Sequence, residues 1–381
     1  MNTFLLILVY FGSPILILNL CHRIPFLNKL GAVIVAYMVG LLMGVLWVSQ
    51  TDAGAIANAV SSVTVPLALP LLLFSAQLSN LKGIALKGAI ALTTAIVAVF
   101  IAVVGGYFLL RNGGMSDLWK LSGMLLGVYT GGTPNLASLK LMLDVDPNVY
   151  ILAHSYDLIV SAVYLAFVMT VGPRFFRKFL VPFKHEGPVS LELDTNGSDP
   201  YWGIFKREHF YPLVKVFGAA LSILALGVGL SLLFPERLQV VSVILAITTL
   251  GVLGSFIPRL SKTPYTFELG MYFILVFSVS VASMADFSSL QGVTPHLFIY
   301  MTLVVFGALF LHLLFAKLFK IDADTLIVVS TALICSPPFV PMVASAIKNK
   351  RVILVGIIAG LVGYAIGNYL GYFTALGLSS F

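Results

Sequence analysis

"GVYTGGTPNLASLKLMLDVDP", residues 127–147, sets Gly131, Gly132 and Pro134 in the middle of an otherwise apolar segment. In a soluble protein these residues would form an ordinary turn. Here they stand in a chain of 381 residues that is 59% hydrophobic and only 10% charged, where a soluble domain carries about 25% charged residues. Apolar runs near twenty residues long recur from end to end, each long enough to cross about 30 Å of hydrocarbon as a helix. The candidates are 2–20, 31–48, 64–79, 88–110, 121–143, 149–171, 212–234, 240–257, 269–286, 297–319, 326–347 and 352–378, twelve segments in all. The expected fold is therefore an all-α polytopic membrane protein with about 12 spans (11–13) and no soluble domain of useful size.

Composition excludes several classes. The first segment, "NTFLLILVYFGSPILILNL", lacks a basic leader and a small-residue cleavage site, so an uncleaved first span is expected. Cys21 and Cys335 are the only cysteines and give neither a disulfide framework nor metal-ligand spacing. The net charge of +7 comes from basic residues in short loops, the pattern of cytoplasmic loops rather than of nucleic-acid binding. No cofactor is implied. The expected partners are the bilayer and a small solute or ion, and a homodimer is left open.

One long polar loop, 172–211, divides the chain into a first membrane repeat (1–171), a linker, and a second membrane repeat (212–381). Arg174, Arg177, Lys178 and Lys184 cluster beside the preceding span and place the linker in the cytoplasm. The halves are weakly alike: "LLLFSAQLSNLKG" (71–83) resembles "ILVFSVSVASMADFSSLQG" (274–292). Each half then has a long apolar span, a proline-interrupted span and a final span. The second interruption is "LICSPPFVPMVASAI" (333–347), with Pro337, Pro338 and Pro341 close together. Interrupted segments at corresponding places in two halves point to a transporter binding site.

The orientation of the halves is contested within the sequence. Counted from one interruption to the other, the chain crosses six times, an even number that gives a parallel repeat. Charge points the other way: the basic cluster of the first half follows its last span, whereas "KNKR" (348–351) precedes the last span of the second. If both are cytoplasmic, the repeats are inverted and one crossing has been miscounted. The charge reading is adopted, with the N-terminus inside, the C-terminus outside and one discontinuous helix per repeat.

Backbone polar groups cannot stay unpaired against lipid, so irregular backbone in a membrane must be buried in protein or line a cavity. Pro134 removes an N–H, and Gly131 and Gly132 leave helical geometry cheaply. Either break alone would be read as a kink; two at matched places read as a site. The candidate residues are Thr130, Gly131, Gly132, Thr133 and Asn135 at the first break, and Ser336, Pro337 and Pro338 at the second. Half-helix ends there would face ions or charged substrate groups.

The next span, "NVYILAHSYDLIVSAVYLAFV" (148–168), carries Asp157, the only carboxylate near the centre of any span. A carboxylate there is costly and is a functional-site hypothesis by default. His154 lies three residues earlier on the same helical face. The pair would carry a proton, or Asp157 would hold a cation such as sodium; otherwise Asp157 only caps the broken neighbouring backbone and His154 is an interhelical hydrogen-bonding group. No dedicated metal site is read. Ser138 and Asn368 are weaker candidates. Lys140 either attracts an anion or snorkels to the interface, and His312 reads as a packed histidine. Asp144, Asp146, Asp322 and Asp324 fall in loops and are expected to be solvated. Gly356 and Gly360, then Gly363, Gly367 and Gly371, recur every four residues and read as a close-packing face.

With these residues in view, the chain resembles the YjcL-like family of bacterial and plastid membrane proteins, labelled domain of unknown function 819. The likeness rests on "PLALPLLLFSAQLSNL" (66–81), "YTGGTPNLASLKLMLDVDP" (129–147), "SYDLIVSAVYLAF" (155–167) and "GYAIGNYLG" (363–371). The family's glycine-glycine-small-x-asparagine motif falls on Gly131, Gly132, Thr133 and Asn135, and its intramembrane aspartate on Asp157. Where the family shows a glycine-rich second break, this chain has "CSPPFVP" (335–341). The family is grouped with sodium–proton antiporters and bile-acid-type sodium symporters. The resemblance thus implies two inverted repeats, a core of crossed broken helices and a scaffold against which it slides in the manner of an elevator.

The expected function is secondary active transport of a small solute or ion in the bacterial cytoplasmic (inner) membrane, coupled to protons or sodium through Asp157. The alternative is a passive channel or a non-transporting scaffold. An intramembrane aspartyl protease would need a second midspan aspartate and a glycine-x-glycine-aspartate motif, neither of which is in the sequence, so no enzyme is expected.

Overall fold

Long runs of Leu, Ile, Val, Ala and Phe give helices whose own hydrogen bonds satisfy every backbone group, the condition for entering hydrocarbon. The computed structural model describes residues 3–30, 32–45, 53–75, 86–113, 115, 117–183, 207–284 and 294–381. In chain order the helices are α1 (Thr3–Arg23), α2 (Pro25–Leu30), α3 (Ala32–Met43), α4 (Ala53–Phe74), α5 (Leu86–Leu110), α6 (Leu118–Met142), α7 (Pro147–Thr170) and α8 (Gly172–Phe176). They continue as α9 (Arg207–Ser231), α10 (Glu236–Ser255), α11 (Pro258–Ser261), α12 (Thr266–Ser283), α13 (Thr294–Leu318), α14 (Ala323–Ile334), α15 (Val340–Ala346) and α16 (Ile353–Leu378). A 3-10 turn at Pro337–Phe339 joins α14 to α15.

Among the described residues, nine helices are long and apolar enough to cross a membrane: α1, α4, α5, α7, α9, α10, α12, α13 and α16. The expected count was about twelve, and the difference lies in three segments. The described part of 31–48 is only the 12-residue α3, about 18 Å of helix. The segments 121–143 and 326–347 are the two interrupted ones, treated below. The span expected at 64–79 instead runs over Gly54–Phe74; its polar first turns, with Asn58, Ser61 and Ser62, hid the start. Residues 76–83 and 285–292 of the two similar stretches, and Lys184 with the rest of the linker to 206, lie outside the described residues.

The chain forms two compact units, one of residues 1–77, 140–155 and 197–291, the other of 78–139, 156–196 and 292–381. Each draws on both sides of the 172–211 linker. In the first unit, α12 packs along α4 and α3, α10 packs on α4 and α9, and α1 leans on α12. Small residues permit these approaches: Gly270 faces Leu72, Gly251 faces Leu73, and Gly254 faces the Phe74 ring. Tyr10 reaches across to Ser283 at 2.7 Å.

In the second unit, α13 packs along α5, and α14 packs on both α16 and α5. At one end Tyr300 ties three elements together: its hydroxyl donates to the Val103 carbonyl at 2.8 Å and pairs with Ser122 at 2.7 Å. Tyr107 donates to the Leu378 carbonyl at 3.0 Å, so the end of α5, the start of α6, the start of α13 and the end of α16 share that end. Asp322 and Asp324 are buried, at 7% and 6% exposure, not solvated as expected. Asp322 is taken up in capping α14, accepting from the Thr325 N–H at 2.8 Å, and Asp324 is held by an arginine. Asp144 and Asp146 are exposed, as expected, and His312 is packed at 2% exposure.

Candidate functional site: two hairpins meeting beside Asp157

Gly132 takes φ 70° and ψ −167°, a backbone region essentially reserved for glycine. A straight helix through it would place Gly127 about 18 Å from Leu139. Instead the Leu139 side chain fills the space beside Gly127, and Gly371 on α16 faces both the Gly123 carbonyl and the Leu139 side chain. The helix α6 is therefore two limbs, 118–131 and 133–142, folded back on each other at Gly132. The chain returns to the end from which it came.

The second interruption does the same from the opposite end of α16. Gly356 faces Val328 on α14 and Val340 on α15, and Gly360 faces the Ala332 carbonyl and Pro337. The base of this hairpin is closed by hydrogen bonds. Arg177 donates through Nη2 and Nε to Asp324 Oδ1 at 2.8 and 3.2 Å, and through Nη2 to the Ile347 carbonyl at 3.3 Å. Asn349 Nδ2 donates to Asp324 Oδ2 at 2.9 Å. The residues before α14 and after α15 thus lie side by side. Neither interrupted segment runs through as a discontinuous crossing helix, because each break reverses the chain.

The tips meet. A methyl group at Gly132 would overlap Ser336 Oγ and come within 3.5 Å of the Tyr364 ring. Ser336 itself adopts φ 86° and ψ 156°, the glycine region again, and its hydroxyl faces Tyr364. The glycine face of α16 cradles both tips. Gly363 packs on the Thr130 carbonyl, Gly367 packs on Asn135, and Asn135 Nδ2 donates to the Gly363 carbonyl at 3.3 Å.

Asp157 is 6% exposed and lies where α7 passes these tips. Its Oδ1 accepts from Ser161 at 3.2 Å. The Tyr129 hydroxyl of the first hairpin faces the carboxyl without completing a hydrogen bond. Cys335, at the second tip, reaches the Ser161 carbonyl at 3.9 Å. Among the described residues Tyr129 Oη and Asn135 Oδ1 are fully buried and find no hydrogen-bond partner, although buried polar atoms are almost always paired. Open oxygen lone pairs near a buried carboxylate are what a desolvated cation or a hydrogen-bonding solute needs.

The structure thus brings Thr130, Gly131, Gly132, Asn135, Ser336 and Pro337 together around the tips, with Asp157 beside them. Thr133 is half-buried at the first tip, whereas Pro338 is exposed on the 3-10 turn. Thr130 spends its hydroxyl on the Leu126 carbonyl at 2.7 Å, and Ser138 on that of Pro134 at 2.7 Å. Asn368 is buried one turn beyond Tyr364 on α16. His154 takes different neighbours: in the first unit its ring lies against Tyr37 and Tyr150, at centroid distances of 5.1 and 6.2 Å, and neither ring nitrogen has a hydrogen-bond partner among the described residues. Tyr129, Ser161 and Tyr364 were not singled out in the sequence, and Cys335 was weighed there only for disulfide or metal chemistry. Ser161, one helical turn after Asp157, was open to detection from its spacing.

A family model described as "Protein of unknown function (DUF819)" matches residues 7–381, nearly the whole chain. The chain belongs to that family. It is also 25% identical over 339 residues to the uncharacterized membrane protein YjcL of Bacillus subtilis (strain 168), covering 85% of this chain and 84% of that protein. The DUF819 match takes in both hairpins, α7 and α16. With its apolar helices, this makes the chain an integral membrane protein.

Proposed function

We propose that this protein is a secondary active transporter of a small solute or ion, working by elevator-type alternating access in the bacterial cytoplasmic membrane, with a proton or sodium ion coupled through Asp157. The observation that carries the reading is the meeting of Gly132 with Ser336. Two hairpins entering along opposite halves of one helix, their tips touching beside a buried carboxylate, build a polar site deep inside an apolar body. A protein that only anchors other proteins has no use for irregular backbone and an intramembrane charge at that depth.

On this reading the hairpins belong to two inverted repeats, α4–α7 and α12–α16. The element order supports it. Helices α5 and α13 are each 25 residues long, and Gly132 is the fifteenth residue from Leu118 while Ser336 is the fourteenth from Ala323. With each hairpin returning to its own side, four spanning helices separate α5 from α13, which therefore run in opposite directions. That parity agrees with the charges. Arg174, Arg177, Lys178, Lys317, Lys320, Lys348 and Arg351 gather at the base of the second hairpin, which is the cytoplasmic side by the positive-inside rule.

Asp157 would bind the coupling ion, and the tips the solute. No side chain is asked to do covalent chemistry. The test is charge movement in proteoliposomes challenged with a panel of small solutes under imposed sodium and proton gradients. Wild-type protein should give solute-dependent, gradient-sensitive currents that Asp157→Asn abolishes. Equal currents from both proteins, or a steady conductance indifferent to either gradient, would sink the proposal.

A further inference from the structure

Lys140 is the first residue of the returning hairpin limb to belong to the first unit, and its surroundings have no place in the site above. Only 5% of it is exposed. Among the described residues no hydrogen bond or ion pair holds its ammonium; Asp144 and Asp146 attract it only from a distance. It lines a cavity of about 380 Å³, within the usual range of about 300–1,000 Å³ for small-ligand sites. Asp144 lines the same cavity, and the walls are Val63 and Pro66 of α4 with Val228 of α9 and Val240 and Ile244 of α10.

Two features narrow the occupant. Val63, Val228 and Val240 are each about half exposed, at 53%, 45% and 50%, so the cavity opens sideways through the apolar faces of spanning helices. Val228 lies three residues from the end of α9 at Ser231, and Val240 four residues after the start of α10 at Glu236. The cavity therefore runs from the ends of α9 and α10, at headgroup depth, inward to Leu224 and Ile244. A molecule entering there carries an acyl chain. The lining supplies one cationic and one anionic side chain, so it complements a headgroup with both charges.

We infer that this cavity is a binding site for a zwitterionic phospholipid of the phosphoethanolamine type, with the phosphate on Lys140, the ammonium on Asp144 and the first acyl carbons along the valine wall. An ammonium that lines a cavity mostly withdrawn from water gains a charge-assisted hydrogen bond from a phosphate. The inference rests on the first unit alone and does not depend on the role given to Asp157.

The test is thermal unfolding of the full chain in mild detergent with added phosphatidylethanolamine, phosphatidylglycerol, diacylglycerol or inorganic phosphate. Phosphatidylethanolamine should raise the midpoint by several degrees, phosphatidylglycerol less, and the other two not at all. Lys140→Met should lose the lipid shift, Lys140→Arg should keep it, and Asp144→Asn should erase the preference for phosphatidylethanolamine over phosphatidylglycerol. Equal shifts from all three lipids, an equal shift from inorganic phosphate, or a full lipid shift in Lys140→Met would each overturn the assignment.

Discussion

Gly132 abuts Ser336, although they lie in different halves of the sequence and on hairpins that approach from opposite ends of α16. Both residues hold backbone angles that side chains rarely adopt, yet only one is glycine. Gly132→Ala would meet strain of about 1–3 kcal/mol together with overlap on Ser336 Oγ. The expected result is a lower unfolding temperature in detergent and loss of solute-dependent current. An alanine variant as stable and as active as wild type would show that the tips are not packed together.

Ser336 offers the converse experiment. Ser336→Gly and Ser336→Ala both remove the hydroxyl that faces Tyr364, but only glycine relieves the backbone at φ 86°. The glycine variant should be more stable than the alanine variant by about 1–3 kcal/mol, read from paired denaturation curves. Equal stability of the two would argue against the backbone assigned to this tip.

The glycine face of α16 makes a third comparison possible. A Cβ at Gly363 would overlap the Thr130 carbonyl, whereas Gly105, inside α5, has nothing within 4 Å. Gly363→Ala is expected to cost about 1–3 kcal/mol through overpacking, and Gly105→Ala to gain up to about 1 kcal/mol from helix propensity. Thermal unfolding of the two single variants would show opposite signs.

Arg177 closes the base of the second hairpin through Asp324, which is 9% exposed at its side chain while the arginine side chain is 50% exposed. Hydrogen bonds to charged groups contribute about 1.5–3 kcal/mol, and the open side of the arginine places this one at the lower end through solvent screening. Arg177→Gln should therefore lower stability by about 1–2 kcal/mol. It should also speed proteolysis at Lys348–Arg351, because the two ends of the hairpin would part. Unchanged cleavage there would show that the latch does not hold the hairpin closed.

Much of this site was legible in the sequence, for reasons that also explain what was missed. Gly131-Gly132-Thr133-Pro134 and Ser336-Pro337-Pro338 announce that a helix must stop, because glycine and proline act locally. Asp157 announces itself because a midspan carboxylate has few structural excuses. Neither signal says whether the chain continues across the bilayer or turns back. That is decided by distant packing: Leu139 against Gly127, and Arg177 on Asp324 across 147 residues. Reading both interrupted segments as single crossings therefore missed that each doubles back on itself. Asp322 was open to reading as an N-cap three residues before Thr325, whereas the partner of Asp324, Arg177, is 147 residues away and leaves no local trace.

The central claim is that the two hairpins enter from opposite faces of the membrane and meet inside it. Single cysteines at Lys120, near the base of the first hairpin, and Arg351, at the base of the second, test it in a background with Cys21 and Cys335 replaced by alanine. Each is labelled with a membrane-impermeant maleimide on intact cells and, separately, on inverted membrane vesicles. The account predicts that Lys120→Cys reacts only from outside and Arg351→Cys only from the cytoplasmic side. Labelling of both from the same face would contradict it.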